Sequence, residues 1–372
     1  MGKLIKGMDL SELAEVEACG GEFFDGGVKK DGMAILAEYG MNLVRLRLWN
    51  DPYSKDGEPY GAGGCDLPCV MGLARRAKNL GVDWMLDFHY SDCWADPKKQ
   101  RLPKAWEGKS AEELEQAVFD YSFSVVTVLR ESGLLPEIVS VGNEVSNGLL
   151  WPFGKLPDYR EMARLVSAGI KGVHKAVPGL PVMIHLDNGG DNQMYRNWFD
   201  AYLAAGGEDF SYIGLSYYPF WSGTVEELSR NMEDLALRYR KDLIIAEVSS
   251  GFTLEDYKEY EKLPETLRKG MATKPETVKK VPYPMTKEGQ AQFMEDVMKA
   301  LCRVPENRGK GFIYWGAAWI PVPGSQWATR AAIEYMKEKG PGGNEWANQA
   351  LFDYDGNALP SLAAIRDFSG LS

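Results

Sequence analysis

Two glutamates each follow a short apolar run, and a carboxyl group in this position could take part in catalysis. Glu144 follows Ile138–Val141 through Gly142 and Asn143, and Glu247 follows the apolar residues 243–246. Runs of this kind form buried parallel strands, and α/β barrels keep their catalytic groups at the carboxyl ends of such strands. Taken alone, either glutamate is explained as a charged residue that ends its strand in solvent. Together they suit glycoside hydrolysis, which needs one acid and one base or nucleophile.

Polar and aromatic residues follow the other apolar runs at the same end. Arg45, Arg47 and Trp49 share one face of a predicted strand over residues 42–49. A buried arginine needs anionic partners, which carboxylates at a barrel mouth would supply. We favour a functional role for Arg45, whereas a structural ion pair explains Arg47 equally well. Further candidates for binding hydroxyl groups or stacking on sugar rings are His89, Trp94, Asp96, His185, Asp187, Asn188, Tyr217, Trp221 and Trp319.

Eight strand-then-helix units carry these residues. The predicted strands cover residues 4–11, 42–49, 84–90, 138–141, 182–188, 212–218, 243–247 and 311–315, and the predicted helices cover residues 30–39, 67–80, 111–129, 158–173, 192–205, 225–239, 288–301 and 360–368. Strands that alternate with helices predict a parallel sheet, and eight units predict one closed (β/α)8 TIM barrel of the α/β class. We therefore predict one catalytic domain over residues 1–372, with an elaborated loop at about 252–285.

The amino-acid composition disfavours some classes of binding partner and favours others. The 372 residues are 45% hydrophobic and carry a net charge of -11, which disfavours nucleic acid. Aromatic residues make up 12%, with 11 Trp, and this excess favours carbohydrate. Five cysteines without zinc spacing and only three histidines predict neither metal nor cofactor. No run reaches membrane-spanning length, and residues 1–10 lack an apolar signal core, so we expect a protein that is cytoplasmic or secreted with its leader removed. We also expect a monomer that binds no membrane.

The sequence resembles glycoside hydrolase family 53, the endo-β-1,4-galactanases of clan A. Its most specific segment is residues 86–92 with 94–97, and similar segments cover residues 6–11, 42–49, 86–106, 141–144, 184–192, 213–221, 288–293 and 346–361. The resemblance implies that Glu144 is the acid/base and Glu247 the nucleophile. It also implies sugar contacts from Arg45, His89, Asn143, Tyr218 and Trp315, and β-1,4-galactan or type I arabinogalactan as substrate.

The sequence departs from the family pattern in two places. The family usually follows its nucleophile with Thr-Gly, whereas this chain has Val248-Ser249-Ser250. Bacterial relatives often carry an Asp-rich calcium site in the next loop, but residues 254–284 contain no compact Asp/Asn run, so we do not predict calcium. Glu247 itself is unaffected by either difference.

Three other functions fit parts of the pattern. Another clan A β-glycanase, acting on mannan or glucan, would carry the same two glutamates. A non-catalytic carbohydrate-binding barrel would keep the aromatic residues, although retention of Asn143, Arg45 and both glutamates argues against it. A phosphate-binding barrel would need a Gly-rich loop after strand seven or eight, and Gly316-Ala317-Ala318-Trp319 does not resemble one.

Overall fold

Eight parallel strands close into a barrel in the part of the chain that a computed structural model describes, residues 4–257, 262, 275–279 and 281–370. Each strand pairs with its neighbours in chain order, and β1 pairs with both β2 and β8. The predicted (β/α)8 fold is confirmed. The strands are β1 Ile5–Asp9, β2 Leu43–Leu48, β3 Asp83–Phe88, β4 Ile138–Val141, β5 Val182–Leu186, β6 Tyr212–Tyr217, β7 Asp242–Val248 and β8 Gly309–Tyr314.

Helices connect the strands on the outside of the barrel. They are α1 Gly32–Glu38, α2 Leu67–Asn79, α3 Ala111–Glu131, α4 Tyr159–Ala176, α5 Asn192–Ala204, α6 Val225–Tyr239, α7 Lys287–Arg303 and α8 Pro360–Asp367. Each of α1 to α7 begins after an Asp, Ser or Thr whose side chain accepts a hydrogen bond from a free backbone N–H of the first turn. These caps explain why the predicted starts lie within two residues of the observed ones.

Short helices and hairpins add to the eight strand–helix units of the barrel. Three short helices cover Leu13–Ala18, Pro275–Val278 and Arg330–Met336, and two hairpins pair Phe23–Asp25 with Val28–Lys30 and Gly148–Leu149 with Gly154–Lys155. Apart from Pro275–Val278, which lies in the predicted loop over residues 252–285, these elements were not predicted. The rest of that loop lies largely outside the described residues, so its architecture stays a prediction. No helix in the described ranges is long and apolar enough to cross a membrane.

The inside of the barrel changes from apolar to charged along the strand direction. Near the amino ends of the strands it is filled by a cluster that contains Leu43, Met85 and Ile244. Two residues further along β2 and β3, the alternation of strand side chains places Arg45 and Asp87 on the same inner face. The carboxyl end of the barrel is therefore the polar end, where a (β/α)8 enzyme has its active site.

A bulge in β7 sets the direction of Glu247. Strand β6 pairs Leu215 with Ile245 but the next residue, Ser216, with Glu247, so β7 contains one extra residue at Ala246. Ala246 belongs to the inner apolar cluster. Strict alternation would then send Glu247 outward, but the extra residue turns it inward as well. The bulge therefore places a carboxyl group inside the barrel directly after an apolar side chain.

Candidate active site

Arg45 is the centre of a buried ionic cluster at the polar end of the barrel. Its Nη1 lies 2.7 Å from Asp9 Oδ2, and its Nη2 lies 2.9 Å from Asp87 Oδ2 and 2.9 Å from Glu247 Oε1. Burial alone would raise the pKa of Asp87, but the charge of Arg45 outweighs it and holds that pKa well below its usual range. The cluster therefore confirms that the inward-facing arginine has anionic partners.

A chain of polar side chains leads from Arg45 across the barrel. Asn143 Oδ1 accepts a hydrogen bond from Arg45 Nη2 at 2.8 Å, while Asn143 Nδ2 donates to the carbonyl oxygen of Ala95 at 2.8 Å. His185 Nδ1 lies 3.0 Å from Asn143 Oδ1, and His185 Nε2 lies 2.8 Å from Ser216 Oγ. All of these groups are buried, so their hydrogen-bonding requirements constrain one another.

Two positively polarised groups hold Glu247. Arg45 contacts Oε1, and the Tyr218 hydroxyl donates a hydrogen bond to Oε2 at 2.7 Å. Burial raises the pKa of Glu247 above its ordinary value, and Arg45 and Tyr218 limit the rise by favouring the ionised form. Both carboxylate oxygens are thus fixed, and 6% of the Glu247 surface is exposed. It is exposed at the carboxyl end of the barrel, and we call this region the cleft.

Glu144 sits in a different electrostatic environment. It follows a sharp turn in which Gly142 has φ 83° and Glu144 itself has φ 46°, a left-handed conformation that a side chain adopts only at some cost. Burial raises the pKa of Glu144 well above its usual value, and the negative charges of Glu247 and Asp187 raise it further. No cation contacts Glu144 among the residues the structure describes, so Glu144 is the carboxyl group of the pair whose pKa is raised further.

An aromatic wall lines one side of the cleft beside Glu247, and it consists of Tyr218, Trp315, Trp221 and Trp346. Tyr218 packs against Trp315 and Trp221, with ring centroids 6.4 Å and 5.2 Å apart. Trp346 lies 5.4 Å from Trp315 and 6.4 Å from Trp221. Trp221 is 41% exposed, so this wall runs from a buried floor at the carboxyl groups to an open edge.

A second buried charged cluster, formed by Arg47 and Glu12, contacts the ring of Trp94. The Arg47 guanidinium lies 4.4 Å from the centre of the Trp94 ring, and Arg47 Nη1 lies 2.7 Å from Glu12 Oε1. Burial raises the pKa of Glu12 to about 7, against the opposing charge of Arg47. The partly exposed Trp94 also donates a hydrogen bond from Nε1 to the carbonyl oxygen of Trp327 at 2.7 Å. Arg47 therefore has a structural role that positions a candidate sugar platform.

The loop after Glu247 is held by contacts with α7, β8 and the segment after β8. The Ser249 hydroxyl hydrogen-bonds the Gln349 side chain, and Gln290 Nε2 donates to the Ser250 carbonyl oxygen at 2.9 Å. The backbone N–H of Ser250 donates to Tyr314 Oη at 3.4 Å. The residues that depart from the family pattern thus have their own partners, and they leave Glu247 in place.

Some predicted sugar contacts lie behind the cleft surface. Arg45, His89 and His185 are at most 1% exposed, and their polar groups contact other protein groups, so they do not reach the surface that a sugar could contact. For Tyr217 the prediction is wrong, because alternation along β6 turns its ring outward onto Phe293 of α7. Trp319 is 1% exposed and packs behind Trp94 and Trp315, so it offers no face to a sugar.

The other predicted residues border the cleft. Glu144, Glu247, Asn143, Tyr218 and Trp315 form its floor, each with some exposed surface. Five more lie around it with larger exposed areas, namely Trp94, Asp96, Asp187, Asn188 and Trp221. Asn188 Nδ2 donates to Asp187 Oδ2 at 2.8 Å, which orients this pair at the end of β5.

Sequence reasoning missed several residues of the site. Asp9 and Asp87 neutralise Arg45, Ser216 contacts His185, and Trp346 extends the aromatic wall. Asp9 is the last residue of β1, at the carboxyl end where Glu144 follows β4, and Ser216 lies two residues before Tyr218 on the same face, so strand position could have identified both. Trp346 comes from the long segment after β8, where no periodicity indicates its place. Among the described residues, no group of three or more His, Cys, Asp or Glu could hold a metal ion.

A (β/α)8 barrel with two buried carboxyl groups and an aromatic wall at its carboxyl end defines the protein as a glycoside hydrolase. Over residues 5–365 the sequence matches glycosyl hydrolase family 53, and the chain belongs to that family. The resemblance read from the sequence is thereby confirmed.

Relatives and solved structures agree with this assignment. The endo-beta-1,4-galactanase of Bacillus subtilis is 34% identical over 97% of this chain and 85% of its own length. The GH53 catalytic domain of Ignisphaera aggregans is 38% identical, with a TM-score of 0.89 over 98% of this chain and 95% of that one. A structure of fungal beta-1,4-galactanases gives 28% identity and a TM-score of 0.77, over 97% of this chain and 98% of that one.

Proposed function

We propose that this protein is a retaining endo-β-1,4-galactanase that cleaves galactan or type I arabinogalactan. Membership of family 53 and relatives named as endo-beta-1,4-galactanases support the substrate. The observation that carries the mechanism is the unequal environment of the two glutamates. Glu247 is paired with Arg45 and Tyr218, whereas Glu144 faces negative charge. Unequal environments of this kind separate a nucleophile from an acid.

Glu247 acts as the nucleophile. Its ion pair with Arg45 favours the carboxylate, and its contacts at both oxygens hold the group in one orientation. The carboxylate attacks the anomeric carbon of the galactosyl unit, and the bond from that carbon to the leaving oxygen breaks. A covalent glycosyl-enzyme forms, which requires the two carboxyl groups to stand roughly 5–5.5 Å apart.

Glu144 acts as the acid and then as the base. The leaving oxygen is a poor leaving group and needs the proton that burial and the charge of Glu247 keep on Glu144. Once Glu247 is bound to the sugar, its negative charge is gone and Glu144 becomes the better base. It then takes a proton from water, whose oxygen attacks the anomeric carbon and releases Glu247. Two displacements leave the product in the β configuration.

Asn143 has one amide hydrogen available for the substrate. Its carbonyl oxygen is occupied by Arg45, and one Nδ2 hydrogen is donated to Ala95. The second Nδ2 hydrogen can reach the 2-hydroxyl of the reacting sugar, a contact that strengthens in the transition state. Trp315 provides the floor of that subsite, and Trp221 and Trp94 provide stacking surfaces further out.

One chain supplies every residue of this site, and we propose that the protein acts as a monomer. We also propose that the polysaccharide substrate is its only binding partner. The experiment that tests the function is incubation with linear β-1,4-galactan, β-mannan and β-glucan in parallel, with product analysis by chromatography. We expect galacto-oligosaccharides from galactan and no release from the other two. Release from mannan or glucan in place of galactan would contradict the substrate. The mass in solution from light scattering should be near 41.5 kDa.

A further inference from the structure

We propose that Gln100 is a positioning residue for the reaction, and that it places the carboxyl group of Glu144 by holding the backbone between Asn143 and Glu144. Gln100 lies in the loop between β3 and α3 and is 2% exposed, so its side chain offers almost no surface to a substrate. This role depends on the acid/base role of Glu144 proposed above.

The turn that carries Glu144 has an irregular backbone. It follows the end of β4, and Glu144 itself has φ 46°, a left-handed conformation that the surrounding structure has to stabilise. Buried carbonyl groups in such a turn need hydrogen-bond donors from other parts of the chain. Trp198 Nε1 of α5 donates to the carbonyl oxygen of Val145 at 3.0 Å. The carbonyl groups of Asn143 and Glu144 precede it in the same turn.

The Gln100 side chain supplies donors to these two carbonyl groups. Its Nε2 lies 2.8 Å from the Asn143 carbonyl oxygen, 3.5 Å from that of Glu144 and 3.3 Å from that of Asp96. Three acceptors around one end of the amide require the NH2 group there, because the amide oxygen would be repelled by all of them. The shortest contact is with the peptide group that joins Asn143 to Glu144. Gln100 therefore fixes the peptide plane from which the Glu144 side chain begins.

The loop that carries Gln100 also holds Asn143 by its side chain. The carbonyl oxygen of Ala95 accepts a hydrogen bond from Asn143 Nδ2 at 2.8 Å. On the other side of the turn, the backbone N–H of Trp151 donates to the carbonyl oxygen of Gln100 at 2.6 Å. Gln100 is thus bonded to the chain before and after the Glu144 turn, which restricts the direction of the carboxyl group.

Movement of Glu144 should impair proton donation more than nucleophilic attack. Proton transfer requires Glu144 to lie within hydrogen-bond reach of the leaving oxygen, and a misplacement of about 1 Å can reduce a rate roughly 100-fold. Glu247 is held separately by Arg45 of β2 and by Tyr218 after β6. Loss of the Gln100 amide should therefore weaken the acid and leave the nucleophile in place.

The leaving group separates this role from a purely structural one. The sugar oxygen of galactan needs a proton to leave, whereas 2,4-dinitrophenolate leaves without one. We would compare kcat/KM on linear β-1,4-galactan and on 2,4-dinitrophenyl β-1,4-galactobioside, because kcat/KM covers only the steps up to the covalent intermediate. Gln100→Met keeps the length of the side chain and removes its donor. We expect a roughly 10- to 100-fold loss on galactan and a much smaller loss on the dinitrophenyl substrate.

Equal losses on the two substrates, or an unchanged value on galactan, would overturn the proposal. Urea unfolding shows whether Gln100→Met is folded. If it is not, Gln100→Asn takes its place, because it keeps an amide group but is one methylene too short to reach the Asn143 carbonyl oxygen. The same unequal loss is expected, and equal losses in that variant would overturn the proposal in the same way.

Gln290→Met is the matched control. Gln290 is an equally buried glutamine, and its Nε2 donates to the carbonyl oxygens of Ser250 and Ala350 at 2.9 Å and 3.0 Å. Among the described residues its hydrogen bonds do not reach the Glu144 turn. The ratio of kcat/KM on the two substrates should therefore stay that of the unmodified protein. A ratio that falls equally in both methionine variants would contradict a specific role for Gln100.

Glu144→Gln distinguishes failure of this inference from failure of the proposed function. If the unmodified protein hydrolyses neither substrate, the proposed function fails and the role of Gln100 fails with it. If Glu144→Gln loses kcat/KM equally on both substrates, the acid role of Glu144 is wrong. If Glu144→Gln shows the unequal loss and the Gln100 variants do not, only the positioning role of Gln100 is wrong.

Discussion

The carboxylate of Glu247 lies 2.9 Å from the guanidinium of Arg45, an arginine with no exposed surface. Such a pair fixes the charge and the direction of the carboxylate, because an arginine at this depth stays protonated and cannot turn to water. Among the described residues Glu144 has no such cationic partner, and burial and the charge of Glu247 raise its pKa instead. The proposed division of labour between the two glutamates follows from this difference.

Removal of the Arg45 charge should damage both the fold and the chemistry. Arg45→Met leaves Asp87 and Glu247 buried without a cationic partner and leaves Asp9 with Arg47 alone, at 3.5 Å, which should reduce the free energy of unfolding by roughly 3–5 kcal/mol. Arg45→Lys keeps the charge but contacts fewer of these acids. In the lysine variant the pKa of Glu247 rises, so the acid limb of kcat/KM should move to higher pH. An unchanged acid limb in a folded Arg45→Lys protein would contradict the ion pair's role.

Two adjacent tyrosines offer a matched pair of variants. Tyr218→Phe removes the hydroxyl that donates to Glu247 at 2.7 Å, a bond to a charged group. We expect kcat to fall roughly 10- to 100-fold and the acid limb to move to higher pH. Tyr217→Phe removes a hydroxyl that donates to the Gly223 carbonyl oxygen on the outer face of the barrel. It should leave kcat unchanged, and equal losses in both variants would contradict the assignment.

Burial of His185 makes stability depend on pH. The folded pKa of about 3 lies below the unfolded value of about 6.5, so the unfolded chain binds the extra proton between these values. The contribution is fully present above about pH 6.5 and is lost as the pH falls, at about 1.4 kcal/mol per pH unit. Urea unfolding at several pH values should therefore give a shallower slope for His185→Gln than for the unmodified protein. His174→Gln, a half-buried residue of α4, is the control and should keep the full slope.

Trp221 should matter for binding the polymer more than for breaking the bond. It is 41% exposed at the open end of the aromatic wall, away from the floor formed by Trp315. Trp221→Ala should raise KM for galactan roughly 2- to 10-fold with little change in kcat, as expected for loss of uniform binding. Leu237→Ala removes an exposed apolar side chain on α6 and should change neither value. A fall in kcat alone would place Trp221 nearer the reacting sugar than proposed.

Much of the fold was predictable because it depends on local signals. Apolar runs of strand length and amphipathic helices repeat eight times, capping residues begin seven of the helices, and the observed bounds differ from the predicted ones by a few residues. Glu144 and Glu247 could be identified because both follow such runs. The inward direction of Glu247 could not, because it depends on the extra residue at Ala246, and pairing with β6 reveals that residue only in the folded barrel.

The errors in the site have a common cause. Residue type predicts what a side chain can bind, but burial decides whether it meets the substrate or another side chain. Trp319 and Tyr217 have the right chemistry for sugar and are covered by their neighbours. Ser216 has an unremarked sequence position and becomes part of the site because folding brings it to 2.8 Å from His185 of the neighbouring strand. Such convergence depends on contacts between distant segments, which periodicity does not describe.

The most direct test of the mechanism is to trap the proposed intermediate. A 2-deoxy-2-fluoro-β-galactoside with a good leaving group should slow release of the sugar and label the enzyme once, and peptide mass spectrometry would locate the label. We expect one adduct per chain on Glu247, with none in Glu247→Gln. A label on another residue, or complete turnover with inverted product and no adduct, would contradict it.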